Sequence, residues 1–590
     1  MASMARRGPD DEGIWSDDRH VNLAFRRLAI LDLSRSAHQP MLTADGRYTI
    51  VYNGELYNFR ELRRELEQTG VRFRSTGDTE VVVYALAHWG SRALARFNGM
   101  FALGLYDSVE KRLLLARDHA GIKPLYYALT RDGLVFASQY DVILAHPWTH
   151  DLQVSPAGLA LYFRLGFIPA PYALLNNTHM LEPGSWLEVF SQTHQVRKGH
   201  FFEFPVHRES DLRGEQAREA VDAAVSAAVN RQLVSDVPLG TFLSGGIDSP
   251  LVAAKMREAK NGPVRAFTIG TNGDELDESA DAMSYARDLA MEHTVEHVSP
   301  EGVLEMLDDV VAACGEPFAD YSIFPTILVS RLARQHVKVV LSGDGGDELF
   351  WGYAGRFASM LENRALARPG ERQSGTSHLK KFLSLSQADP RLPKTIGDFY
   401  RLKHTHIPEG WLQRIVPDLA PWPDDFSFFV GNDWEPDRVA QWLRWNEFTC
   451  HMTMVLLKVD RASMYHSLEV RVPLLDREVV EVATRVDWRS CLDVEHRIGK
   501  LPLRYSLARH VGQQTAAKRG FTVPMDAWLR GALRTVFEGA LYGRREILGL
   551  PVNGEALRAM FDRHLSGQID YGRGLWVLLS LALWEKHYRT

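Results

Sequence analysis

Runs rich in β-branched and aromatic residues at 48–52, 99–106, 112–117 and 134–138 predict short strands separated by turns. Between them, 59–69 and 79–89 carry apolar residues at helical spacing. Asn58 before the first of these helices and Gly70 after it supply the usual start and stop chemistry. This part predicts an α+β sandwich. Near 203–214 the pattern lapses into the polar stretch EFPVHRESDLRG, read as a linker that divides 1–205 from 206–590. Helical spacing then returns at 215–233, 250–260, 280–291 and 325–335, interleaved with predicted strands at 240–243, 264–269 and 337–341. Such alternation predicts a parallel sheet covered by helices on both faces. After about 380 the chain reads as mostly helical without an internal repeat, and the polar segment 364–378 reads as a mobile loop.

With 590 residues the chain exceeds one ordinary core, in line with two domains. Its 68 basic and 74 acidic residues leave a formal charge of −6 with no basic stripe, which argues against nucleic acid and for a small neutral or anionic partner. Cys314, Cys450 and Cys491 lie far apart without metal-ligand spacing, so neither a disulfide framework nor a zinc site is expected. No run has the length to span a bilayer, and a cytoplasmic location is expected, without membrane or nucleic-acid partners. Lysine supplies only 14 of the 68 basic residues, which makes each lysine in a motif worth inspecting.

The sharpest local signal is Leu243-Ser244-Gly245-Gly246-Ile247-Asp248-Ser249, between a predicted strand and a predicted helix. Paired glycines admit close backbone approach, and a helix N-terminus offers free N–H groups to an anion. The run lacks both the Walker A ending and the dinucleotide spacing, and resembles instead the PP-loop of ATP pyrophosphatases, which cleave ATP between the α and β phosphates. Capping alone would account for Ser249 before Pro250, but it requires neither Gly-Gly nor Asp248. A second loop, Ser342-Gly343-Asp344-Gly345-Gly346-Asp347-Glu348, follows the predicted strand 337–341. In an open parallel sheet both loops sit at the carboxyl ends of strands, where Asp248 and Asp347 are placed to hold Mg²⁺ against a pyrophosphate.

In order along the chain, SGGxDS, the strand end Phe267-Thr268-Ile269-Gly270, SGDGGDELFWGY, SLEVRVPLLD at 467–476 and AKRGFTVP at 517–524 resemble the synthetase domain of the asparagine synthetase B family. The resemblance implies ATP contact through Leu243, Ser244, Ile269, Ser342 and Gly343, with adenine against Leu243 and Ile269. It also implies Asp344 as the acidic residue assisting formation of the acyl-adenylate, and Lys518 as the lysine that offsets phosphate and transition-state charge. Pro250 departs from the family, where a second serine is usual, and removes one hydroxyl from the loop.

The first part carries RRGPDDEG at 6–13, Arg27-Leu28-Ala29-Ile30-Leu31, Asn53-Gly54-Glu55-Leu56-Tyr57-Asn58 and Thr76-Gly77-Asp78-Thr79-Glu80. Together these resemble class II glutamine amidotransferases of the N-terminal nucleophile hydrolase type. The resemblance implies Arg27 on the glutamine α-carboxylate, Asp78 on its α-amino group, and Asn53 with the Gly54 N–H as an oxyanion hole, within a glutamine site of residues 27–31, 53–55 and 78. That chemistry uses a chain-terminal cysteine as nucleophile and base. The sequence opens with Met1-Ala2 and its first cysteine is Cys314, so the expectation is a domain lacking its first segment: either the true start lies upstream, or the domain is without glutaminase activity.

The sequence thus predicts an α+β N-terminal sandwich followed by an α/β PP-loop synthetase domain with a helical C-terminal part. The function expected is MgATP-dependent amide synthesis: adenylation of a carboxylate, by family default aspartate, and attack by ammonia, in the family normally drawn from glutamine. Competing expectations are amidation of another carboxylate, ring closure in a natural-product or polysaccharide pathway, or a non-catalytic binding module. Loss of Asp248, Asp347 or Lys518 would mark the last, and all three are present. A homodimer is carried as an expectation.

Overall fold

The computed structural model describes all residues except 194, 261, 272–276, 299–301, 363–394, 432, 513–522 and 589–590. Lys518 and the segment 364–378 therefore lie outside the described residues. The strands at issue are β1 (Asp11–Ser16), β2 (Asn22–Arg27), β3 (Met41–Leu42), β4 (Tyr48–Leu56), β5 (Gly99–Asp107), β6 (Arg112–Arg117), β7 (Tyr126–Thr130), β8 (Gly133–Ala137), β9 (Thr178–Met180), β10 (Ser185–Phe190) and β11 (Val196–His200). β11-β10-β6-β5-β4-β3 form one antiparallel sheet, flanked by the pair β1-β2 and the three-stranded β8-β7-β9.

Alternation along β4 explains the layering. Ile50 and Tyr52 are buried with Leu62, Leu66 and Val82 of the helices Phe59–Gln68 and Thr79–Trp89, whereas Val51 between them packs with Leu23 and Tyr106. One sheet face is thus covered by helices and the other by the smaller sheets. The Asn58 side chain does not cap its helix. It donates to Arg96 O and accepts from Asn98 N, pinning the loop before β5 instead.

After the irregular stretch following β11, the helix Gly214–Gln232 opens an all-parallel sheet of β12 (Leu239–Phe242), β13 (Arg265–Thr271), β14 (Glu292–Val298), β15 (Val339–Leu341) and β16 (Glu469–Arg471), in the order β14-β13-β12-β15-β16. The chain runs outward from β12 through β13 to β14, then returns to β12's other side. The switch in direction therefore falls between β12 and β15, where Thr241 pairs with Leu341. β14, β16 and the helix Gly302–Cys314 escape the sequence reading. Helices that include Met452–Tyr465 and Gly572–Tyr588 complete the core.

The two parts meet through buried polar contacts. Arg7 is bidentate to Asp460 at 2.7 and 3.1 Å, the Asp32 N–H donates to Asp236, and Arg471 on β16 lies 3.5 Å from Glu55 at the end of β4.

Candidate functional sites

At the switch point the two glycine-rich loops touch. A Cβ on Gly343 would lie 2.5 Å from Ser249 N, and one on Gly346 would lie 2.5 Å from the Asp248 carboxylate. Only glycine permits this approach. Ser249 is not a cap: the helix begins at Asp248, and the Ser249 hydroxyl accepts from Ser244 N at 2.9 Å, folding the loop back on itself. The Gly245 N–H donates to the Glu278 carboxylate at 3.2 Å, so one loop amide already faces an anion.

Lys500, which the sequence reading did not single out, occupies the centre of this site. Its Nζ lies 2.5 Å from Asp248 Oδ2 and 2.8 Å from Asp347 Oδ1. Burial alone would depress its pKa, but the two carboxylates outweigh that and raise it, so it is held charged. Gly352 makes room: a Cβ there would meet Asp347 Oδ1 at 2.0 Å and Lys500 Cε at 2.1 Å. Lys500 itself adopts a left-handed φ of 60°, a strained conformation for a residue with a Cβ. Its scarcity as a lysine and its place after Gly499 are the only signals the sequence offers.

These residues line a cavity of about 900 Å³. Leu243, Ser244, Gly246, Asp248, Ser249, Ile269, Ser342, Gly343, Asp344 and Asp347 all face it, while Gly245 does not. Leu243 and Ile269 are buried and apolar; Asp344 accepts from the Ser342 hydroxyl at 2.7 Å. Two carboxylates converging on one point beside two amide-rich loops are the donor set a hard divalent cation takes. Lys500 fills that point, so a metal there would share the oxygens with it.

A second cavity, about 580 Å³, lies in the N-terminal part. Arg27, Leu28, Ile30, Leu31, Asn53, Gly54, Glu55 and Asp78 line it together; Ala29 does not, its N–H donating to Asp10. Arg27 donates to the carbonyls of Leu31, Asp32 and Ser34, so its guanidinium shapes the 31–34 loop. Asn53 Nδ2 donates to Ser138 Oγ at 3.1 Å. Asp78 accepts from Leu56 N at 2.7 Å, yet burial pushes its pKa up to about 6. Glu55 is raised as well, first by burial and then by Glu469 across the interface. None of the three cysteines lines this cavity.

The family described as Asparagine synthase matches residues 220–586, and that described as Glutamine amidotransferase domain matches residues 1–201. The chain is 33% identical over 615 residues to the "Putative asparagine synthetase (glutamine-hydrolyzing)" of Mycobacterium tuberculosis, covering 99% of this chain and 92% of the relative. It is 29% identical over 618 residues to "Asparagine synthetase (glutamine-hydrolyzing) 1" of Bacillus subtilis, covering 99% and 93%. It is also 26% identical over 525 residues to "Amidase chry2" of Gibberella zeae, covering 82% and 77%.

Proposed function

This chain belongs to the asparagine synthase family, and from that premise we propose that it adenylates a carboxylate, by default the side-chain carboxylate of aspartate, and converts it to an amide with ammonia. The carboxylate oxygen attacks the α-phosphorus of ATP, the bond to pyrophosphate breaks, and ammonia then displaces AMP from the acyl carbon and loses a proton to solvent. The observation that carries this reading is Lys500 seated between Asp248 and Asp347 where both glycine-rich loops converge. A fixed cation there meets charge as it develops on the phosphates. Mg²⁺, when bound by Asp248 and Asp347, would neutralise pyrophosphate charge. Loop amides take phosphate oxygens, Leu243 and Ile269 take adenine, and Asp344 assists at the acyl end.

In the N-terminal cavity we assign glutamine: Asp78 to its α-amino group, Arg27 to its α-carboxylate, and Asn53 with Gly54 to the amide oxygen. Two lysines compete for the role of charge-offsetting residue, Lys518 by resemblance and Lys500 by geometry. The test is pyrophosphate release with ATP and ammonium against a panel of carboxylic acids. Asp347→Asn is expected to lower it at least about 100-fold with an unchanged circular dichroism spectrum. Near-normal release would remove the assignment.

A further inference from the structure

Three backbone N–H groups of the first glycine-rich loop are already engaged by side chains. Ser244 N donates to the Ser249 hydroxyl at 2.9 Å, Gly246 N to the Ser244 hydroxyl at 3.3 Å, and Gly245 N to Glu278 Oε2 at 3.2 Å. Two of these acceptors belong to the loop itself or to the helix it opens. Of the three, only Glu278 comes from a separate element, and only Glu278 is a carboxylate. Gly245 is buried and does not line the 900 Å³ cavity, whereas Ile247, Asp248 and Ser249 do. The Gly245 amide is therefore spent on Glu278, and the residues at the start of the helix Asp248–Ala259 are the ones that face the cavity.

The surroundings hold Glu278 where this contact needs it. It precedes the helix Ser279–Asp288, which packs directly on the loop: a Cβ on Gly245 would lie 2.8 Å from Asp281 Cβ and 3.1 Å from Glu278 Cβ. A side chain at 245 would force loop and helix apart. Asp277 fixes the turn, accepting from Ser279 N at 2.9 Å and from the Ser279 hydroxyl at 3.1 Å. Ser279 in turn presses on the end of β13, where a Cβ on Gly270 would lie 3.1 Å from Ser279 Cβ. Gly270 follows Ile269, which lines the cavity. The run Asp277-Glu278-Ser279 thus braces two walls of the crevice, the glycine-rich loop through Glu278 and the end of β13 through Ser279.

Glu278 also lines the cavity, so it brings a negative charge to a space that would hold polyphosphate. Repulsion of that kind weakens ATP binding. Against it stands the cost of leaving a buried N–H without an acceptor, and a carboxylate is a stronger acceptor for an amide than a neutral oxygen.

We propose that Glu278 is a positioning residue for the nucleotide loop: its carboxylate holds the Gly245 amide and so fixes the loop conformation in which the amides of Ile247, Asp248 and Ser249 receive the phosphates of ATP. The assignment rests on the amide-synthesis reading above and adds to it a residue that acts through the loop.

The test measures MgATP binding by calorimetry beside pyrophosphate release with ATP, aspartate and ammonium. Glu278→Ala and Glu278→Met both remove the acceptor, the second while keeping the side chain's bulk. Each is expected to raise the Kd and KM for ATP roughly 10- to 100-fold, with the KM for aspartate unchanged. Glu278→Gln keeps an acceptor at the same reach without the charge, and is expected to recover most of the lost affinity. Wild-type ATP affinity in Glu278→Met would overturn the inference by making the contact idle. Equal loss in Glu278→Met and Glu278→Gln would overturn it by making the charge, not the hydrogen bond, the working feature. Either result leaves amide synthesis standing. Absence of release from the wild-type protein with every carboxylate would instead overturn the underlying reading, and calorimetry on the same variants would still decide whether Glu278 sets the loop.

Discussion

Lys500 Nζ stands 2.5 Å from Asp248 Oδ2, joining a residue at the start of one helix to a carboxylate 252 positions earlier at the start of another. One charge thereby closes the crevice between the β12 and β15 loops. Lys500→Ala is expected to cut pyrophosphate release by about 10²- to 10³-fold while changing ATP affinity far less. Kinetics beside calorimetry separates the two effects. The same pair of measurements on Lys518→Ala decides between the lysines: the one whose loss falls on rate alone is the charge-offsetting residue.

Gly346 faces the Asp248 carboxylate with no room for a methyl group. Gly346→Ala is expected to push the loops apart, lowering stability by about 1–3 kcal/mol and weakening ATP binding together with turnover. Urea denaturation and ATP calorimetry on the variant check both effects.

The Asp78 pKa, raised from 3.8 to about 6 by burial, has a direct consequence for stability. Folding favours its protonated form, so its contribution is complete below pH 3.8 and is lost as pH rises through about 6. The loss amounts to about 3 kcal/mol at most. Asp78→Asn keeps an acceptor for Leu56 N without the titration. Its thermal midpoint is expected to fall less than that of the wild type between pH 4 and pH 7, and parallel curves would refute the assignment.

Arg7 joins the two parts through Asp460, whose carboxyl is pushed up by burial but held below its ordinary pKa by Arg7 and Lys123. Arg7→Ala leaves Asp460 with Lys123 at 3.6 Å. The expected cost is about 1–3 kcal/mol, since Lys123 still faces the carboxylate, read as an earlier urea midpoint, with Arg7→Lys recovering part of it.

The strands β4, β5, β6 and β8 were legible because each presents apolar residues to a buried face. β14 was not: EHTVEHV is an edge strand, half-exposed along its length, so its composition does not declare it. β16 has only three residues and belongs to the sheet solely through its pairing with β15. The helix Gly302–Cys314 could have been read, since Val303, Met306, Leu307, Val310 and Val311 fall on one face. At the site, the glycine-rich loops announced themselves locally. Lys500 did not, because nothing near it in sequence shows that it closes on Asp248 and Asp347 from a distant segment.

The late position of β16 bears on how the protein is made. β15 ends at Leu341 and β16 begins at Glu469, so at ordinary ribosome speeds the edge of the parallel sheet waits roughly 6–25 s for its last strand. Arg471, which reaches the carbonyls of Gln232 and Val234 and approaches Glu55, arrives only then. Through that interval the nascent N-terminal half keeps Glu55 without Arg471, leaving Lys123 as its cationic influence, and β15 keeps an open strand edge. Translation rate and chaperone capture over this stretch should therefore govern the yield of active protein more than the stability of the finished fold.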